Sequence, residues 1–263
     1  MRWQTVTEPQ RIYKYRPFSS PEDHERTRNL LMRCQLYFAS PAQFNDPFDC
    51  KVPPLDNIST IEFRTVYTRA VRKYFPKLSV SDVAKRVTKF MVEKPQTERA
   101  AEARAYLQKE VDKLGICAFS AQNDDILMWS HYASAHRGFA LEFASSSATL
   151  LFGSAQEVKY SDTYELLTDL TDNDAAVERI VLTKSAHWSY ENAWRIVDHE
   201  ERNDRVGPHK FDPALLIGVI FGCLMPPENR EALSEMVAQG PGRPKFYAAQ
   251  LRIGAFALDI VPL

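Results

Sequence analysis

Apolar and polar residues alternate along RIYKY, Arg11–Tyr15, which predicts a short strand stopped by Pro17. That alternation sets Tyr13 and Tyr15 on one face and Lys14 and Arg16 on the other. Pro21–Arg33 predicts a helix, with Ser20 as N-cap and Pro21 at the first position. Gln35–Ala39 (QLYFA) is a second strand, and a Pro-rich loop, SPAQFNDPFD, follows at residues 40–49. Residues 58–113 carry almost no strand pattern and predict three helices broken near Pro76 and Pro95. Strands return at Gly115–Ser120 and, after a turn at His136-Arg137-Gly138, at Gly138–Phe143, with a short helix over Asp124–Tyr132 between them. A further short strand lies around Val158–Tyr160. A helix follows from about Asp174 to about Ser185, then a strand at Trp194–Asp198. Leu215–Phe221 is apolar throughout and ends at Gly222, as a central strand would. Pro227–Ala238 is a helix, and Lys245–Leu251 with Ala255–Val261 makes a C-terminal strand pair. This mixed order predicts an α+β fold with a mixed, largely antiparallel sheet. It is read as one domain over residues 1–263 with a helical insertion at 58–113.

Charge changes that picture in one place. Over the whole chain 33 Lys and Arg stand against 34 Asp and Glu, a net of −1, which excludes a globally basic nucleic-acid protein. Residues 62–113 hold thirteen Lys and Arg against seven Asp and Glu, a local +6, leaving −7 for the remainder. The helical block is therefore the place where nucleic acid would bind. Nine Gly against 16 Pro argues against a Gly-rich nucleotide-binding fold. Cys34, Cys50, Cys117 and Cys223 form no C-x-x-C pair and read as free thiols of a reducing compartment. The first ten residues show no apolar leader. The longest apolar run, near Leu215–Met225, is shorter than the roughly 18–20 residues of a membrane span. A cytoplasmic protein without a membrane partner is expected.

Four clusters are candidates for chemistry. Tyr13-Lys14-Tyr15-Arg16 reads either as an edge strand with one solvated face or as a cationic strand end facing an anion. In Phe44-Asn45-Asp46-Pro47-Phe48-Asp49 the turn residues bond their own backbone, and the two Phe would pin the loop to the core. Its functional version uses Asn45 or Asp46 as a partner for a sugar or base. Met128-Trp129-Ser130-His131-Tyr132 lies on a short helix, where Met128 and Tyr132 share a face and Trp129 and His131 point elsewhere. His131 and His136 are five apart, not the four of a helical metal pair, so no metal is assigned. The fourth cluster, Lys184 to Arg195, contains His187, Trp188, Tyr190, Glu191 and Trp194. Glu191 there is either a cleft carboxylate that stabilises a developing cation or the structural partner of Arg195 or Lys184.

The succession YKYRPF, LYFASPAQFNDPFDC, CAFSAQNDDILMWSHYASAHRGFALEF and HWSYENAWRI resembles the domain-of-unknown-function family numbered 2971, over about Ile12 to Gly222. That family occurs mainly in bacteria and their phages, and its name carries no activity. Ala193 departs from it, since the family often has a second acid after the Glu. At the level of fold, a basic early strand, a later aromatic strand and a Glu opening a late strand are similar to the layout of ADP-ribosyltransferases. That likeness implies NAD as a substrate rather than a resident cofactor. It implies a phosphate or amide contact for Arg16, and stacking on nicotinamide for Tyr37 or Tyr132. It implies that Glu191 bonds the ribose and stabilises an oxocarbenium-like transition state; Glu191 and, from its own cluster, His131 are the candidate catalytic residues. Arg16, Tyr15, Asn45, Asp46, Tyr132 and Trp188 are the candidate substrate-binding ones. The alternatives are a non-catalytic nucleotide or nucleic-acid binding module, or an interaction component of a toxin or phage-defence system.

Overall fold

The computed structural model describes residues 9–56, 58–146, 148–149, 151–164, 173–198 and 205–263. The chain divides into two compact units: residues 1–39, 115–158 and 187–263 form one, and residues 40–114 with 159–186 form the other.

The first unit is built on a sheet begun by β1, Arg11–Arg16. Helix α1, Pro21–Arg33, follows, and its start is set locally. Ser20 accepts from the Asp23 N–H while Asp23 accepts from the Ser20 N–H, a reciprocal capping box behind Pro21. Its end is set by Cys34 in the left-handed conformation (φ 49°). Strand β2, Gln35–Phe38, pairs outside the main sheet with a later segment, as described below. The main sheet takes in β3 (Gly115–Ser120), β4 (Phe139–Ala144) and β5 (Gln156–Glu157).

The second unit contains α2 (Thr60–Tyr74), α3 (Val80–Glu93) and α4 (Gln96–Val111), the three helices expected from the sequence. Ser59 and Ser79 cap the first two, and the breaks fall around Pro76 and Pro95. Here too lie β6 (Lys159–Ser161), α6 (Asn173–Leu182) and β7 (Thr183–Ser185). The acidic stretch from Asp162 to Glu178 falls partly at 165–172, outside the described residues. The helix expected to run to Ser185 ends at Leu182 instead. Thr183–Ser185 is extended and pairs parallel with β6, and β-branched Thr183 suits a strand better than a helix end.

Back in the first unit the chain supplies β8 (Ala193–Asp198), β9 (Gly207–Lys210), β10 (Leu216–Phe221), helix α7 (Pro227–Gln239), β11 (Lys245–Leu251) and β12 (Leu258–Pro262). The sheet order is β12-β11-β10-β4-β1-β3-β8-β5. Its pairs are antiparallel except β10 with β11, which run parallel with α7 between them in sequence. The fold is α+β. β10 is an interior strand, as its unbroken apolar run requires. β9 was not legible: GPHK has no apolar alternation, and it pairs antiparallel with β2 in a separate two-stranded sheet where a proline is tolerated. One face of the main sheet packs Ile12, Leu141, Phe143 and Val219 with Leu30 and Leu31 of α1 and Leu233 and Val237 of α7. The other face carries the candidate site. Among the described residues no helix is long and apolar enough to cross a membrane.

Candidate active site

β1 is not the edge strand that its charges suggested. It lies between β4 and β3, with Arg11 opposite Ala144 and Arg16 opposite Phe139. Its cationic side is therefore covered. Lys14 donates from Nζ to the Ala118 carbonyl at 2.7 Å, and Arg16 is surrounded by Asp23, Arg26 and Cys117, where burial lowers the pKa of its guanidinium. Tyr13 and Tyr15 point to the opposite face, into a cluster with Met128, Trp129, Ala140 and Ile220, against which Tyr132 and Tyr190 pack.

α5, Ile126–Tyr132, stands on this face. Asp125 caps it, accepting from the N–H groups of Leu127 and Met128 at 2.9 Å each. Trp129 is its anchor: fully buried, edge-on to Tyr15 with ring centroids 5.1 Å apart, and donating from Nε1 to the Asn123 carbonyl at 2.8 Å. Ser134, Ala135 and His136 then take left-handed backbone in succession (φ 48°, 50° and 66°), which turns the chain sharply into β4. Gly138 has no room for a side chain, since a Cβ there would lie 2.2 Å from the Arg16 carbonyl oxygen.

With α5 held in this way, Tyr132 at its end donates its hydroxyl to Glu191 Oε1 at 2.5 Å, across 59 residues of sequence. Glu191 closes the 3-10 turn Ala186–Glu191 and is only 6% exposed. Asn192 (φ 42°) redirects the chain into β8, and its carbonyl accepts from the Ala121 N–H at 2.9 Å, which ties the turn to the end of β3. Around the carboxylate the rings of His131 and Tyr190 lie 6.0 Å apart, and those of Trp188 and Tyr190 likewise 6.0 Å apart. Burial pushes the Tyr190 phenol up to about 12, with the negative charges of Glu191 and Asp125 adding to it.

Residues 128–196 match the family model described as protein of unknown function, DUF2971. The resemblance read from the motifs is thus met over this stretch. No curated protein and no solved structure matches the chain. The DUF2971 segment begins on Met128 of α5 and ends on Ile196 of β8, so it includes both Tyr132 and Glu191.

Of the residues singled out in the sequence, the structure gathers Tyr15, His131, Tyr132, Trp188 and Glu191 on or beside one sheet face. Arg16 faces α1 on the other side of the sheet. Asn45 and Asp46 belong to the second unit. There Asn45 is exposed, while Asp46 is buried, accepts the Phe48 N–H at 2.9 Å and leaves its Oδ2 without a partner. Phe48 does not pin the loop, being 65% exposed. The loop is fastened at its start by the Ser40 hydroxyl, which donates to the Asp112 carbonyl at 2.6 Å, and at its end Asp49 stands 3.8 Å from the Lys184 Nζ with both side chains buried. Lys184 thereby belongs to the loop's surroundings in the second unit. Among the described residues no three of His, Cys, Asp and Glu stand together as a metal site requires.

Glu142 escaped the sequence reading. It is buried on the Tyr15 face, and its Oε1 accepts from Arg11 Nη1 at 2.8 Å and from the Tyr13 hydroxyl at 3.2 Å. Gly218, its neighbour on β10, makes the space, since a Cβ there would sit 2.3 Å from Glu142 Oε2. The signal was available as the single acid within the apolar strand FALEFA.

Proposed function

We propose that this protein is an enzyme of ADP-ribosyltransferase type acting on NAD or a related nucleotide, with Glu191 as its catalytic carboxylate. The observation that carries the reading is the part-buried hydrogen bond from Tyr132 to the buried Glu191, beside the rings of His131, Tyr190 and Trp188. Low-dielectric surroundings strengthen the pull of a buried carboxylate on a developing cation. Cleavage of a nicotinamide–ribose bond makes such a cation. The C1′–N bond breaks, its electron pair neutralises the pyridinium, and C1′ takes on oxocarbenium character before an acceptor attacks it and loses its proton. Glu191 bonds the ribose and stabilises that charge. Tyr132 positions the carboxylate, and His131 with Trp188 offers ring surfaces for the base.

The test is NAD consumption by the full chain over a broad panel of acceptors, together with thermal melting. Glu191→Gln keeps shape and removes charge, so turnover falls about 10²-fold or more while the melting temperature holds. Tyr132→Phe removes the positioning phenol and lowers turnover less. A structural Glu191 gives the reverse pattern, a lowered melting temperature with turnover intact. Absence of turnover in the wild type overturns the enzyme reading. Calorimetric binding of NAD without turnover then marks a non-catalytic nucleotide-binding module.

A further inference from the structure

The helices α2, α3 and α4 carry a cavity of about 340 Å³ between them, within the second unit and independent of Glu191. Four aromatic side chains line it: Tyr67, Tyr74, Phe75 and Tyr106. Two cations, Arg86 from α3 and Lys109 from α4, stand at its margin. Each lies over a ring that walls the cavity, Arg86 over Phe75 at 4.3 Å and Lys109 over Tyr74 at 4.9 Å, so the cations are held there by ring faces. Among the described residues neither has a carboxylate partner. Their neighbours do: Lys73 and Lys113 share Glu110, Lys85 faces Asp82, Lys89 faces Glu93, and Lys94 faces Glu98. Glu102 also lines the cavity, and the margin is still net positive with it counted.

We propose that this cavity binds a small aromatic carboxylate, its rings against the tyrosines and its carboxylate between Arg86 and Lys109. Size, wall chemistry and charge agree on this class. A cavity of about 150 Å³ accommodates one benzene ring, so this one has room for a body of about two fused rings. Its volume is at the lower end of the ordinary range for ligand sites, roughly 300–1,000 Å³. Flat faces suit the aromatic walls through offset or edge contacts. A neutral apolar guest would leave both cations without an anion, whereas a carboxylate takes charge-assisted hydrogen bonds from them.

The experiment is isothermal titration calorimetry of the full chain with 2-naphthoate, and with 2-naphthamide as the uncharged counterpart. Naphthoate is expected to bind in the micromolar range and the amide about tenfold or more weaker. Arg86 and Lys109 are both exposed, so Arg86→Gln and Lys109→Gln leave the fold in place and each weakens naphthoate about tenfold. Ala105, another exposed residue of the lining, gives an independent check, since Ala105→Trp fills the mouth and abolishes binding. The proposal is overturned if naphthoate does not bind at millimolar concentration, if the amide binds equally well, or if the three variants bind like the wild type. It is also overturned if a single-stranded oligonucleotide displaces naphthoate and binds with a steep salt dependence, which would make this face a nucleic-acid surface.

Discussion

Replacing Trp129 by phenylalanine separates two roles that the motif MWSHY leaves entangled, a core anchor and a ligand contact. Trp129 is fully buried and meets Tyr15 edge to face at 5.1 Å. A phenylalanine in its place keeps an aromatic body against Tyr15 but loses the Nε1 bond to the Asn123 carbonyl at 2.8 Å. Stranding this part-buried acceptor costs at most about 1–3 kcal/mol. Trp129→Ala removes the ring as well, for about 3–5 kcal/mol in the cavity and lost contacts alone. Against a total stability of about 5–15 kcal/mol for a typical domain, the alanine variant approaches unfolding and the phenylalanine variant does not. Urea denaturation followed by circular dichroism measures both, with NAD turnover or binding measured on the folded Trp129→Phe protein. The expected outcome is a midpoint lowered in proportion to the lost hydrogen bond, with ligand properties preserved once the protein is folded. A phenylalanine variant that is as stable as wild type but has lost its ligand would refute the reasoning. Trp129 would then act at the surface of the site rather than beneath it.

Gly138→Ala drives a Cβ to within 2.2 Å of the Arg16 carbonyl, which is backbone of β1 and cannot swing away, so a loss of about 1–3 kcal/mol or more is expected in the same denaturation assay. Burial, with the Glu142 charge adding to it, pushes the Tyr13 phenol up to about 12 from an ordinary value of 10. The unfolded chain therefore releases this proton first, and stability is constant up to about pH 10 and falls between about pH 10 and 12, by at most about 1.4 kcal/mol per pH unit for this one group. Tyr13→Phe should flatten that alkaline slope, as read from melting temperature against pH. Burial lowers the imidazole pKa of His136, so its contribution is full above the ordinary histidine value and is lost as pH falls through it toward the folded-state value. His136→Asn keeps a side chain that tolerates the left-handed backbone and should remove that acid-side loss; an unchanged slope would place the titration elsewhere.

The elements were legible in the sequence wherever their causes are local. Ser20, Ser59 and Ser79 announce helices because a cap is made within three residues, and the breaks near Pro76 and Pro95 follow from the missing N–H and the ring clash of proline. The unbroken apolar run of β10 forecast an interior strand because only burial on both faces tolerates it. Tyr13 and Tyr15 sharing a face, opposite Lys14 and Arg16, followed from the two-residue period alone. What the sequence could not express is adjacency between segments far apart in the chain. Whether β1 lies at an edge or in the middle depends on β3 and β4 pairing with it, more than 100 residues later, and that pairing turned a seemingly solvated cationic face into a covered one. The same holds for β9, whose partner β2 lies some 170 residues before it. Glu142 acquires Arg11, Tyr13 and the space left by Gly218 only once three strands are in register. The Tyr132–Glu191 bond forms because the left-handed turn after α5 and the kink at Asn192 are both fastened to the same sheet. Local propensity acts over a few residues, so the composition of a site assembled from remote strands is decided by the tertiary fold.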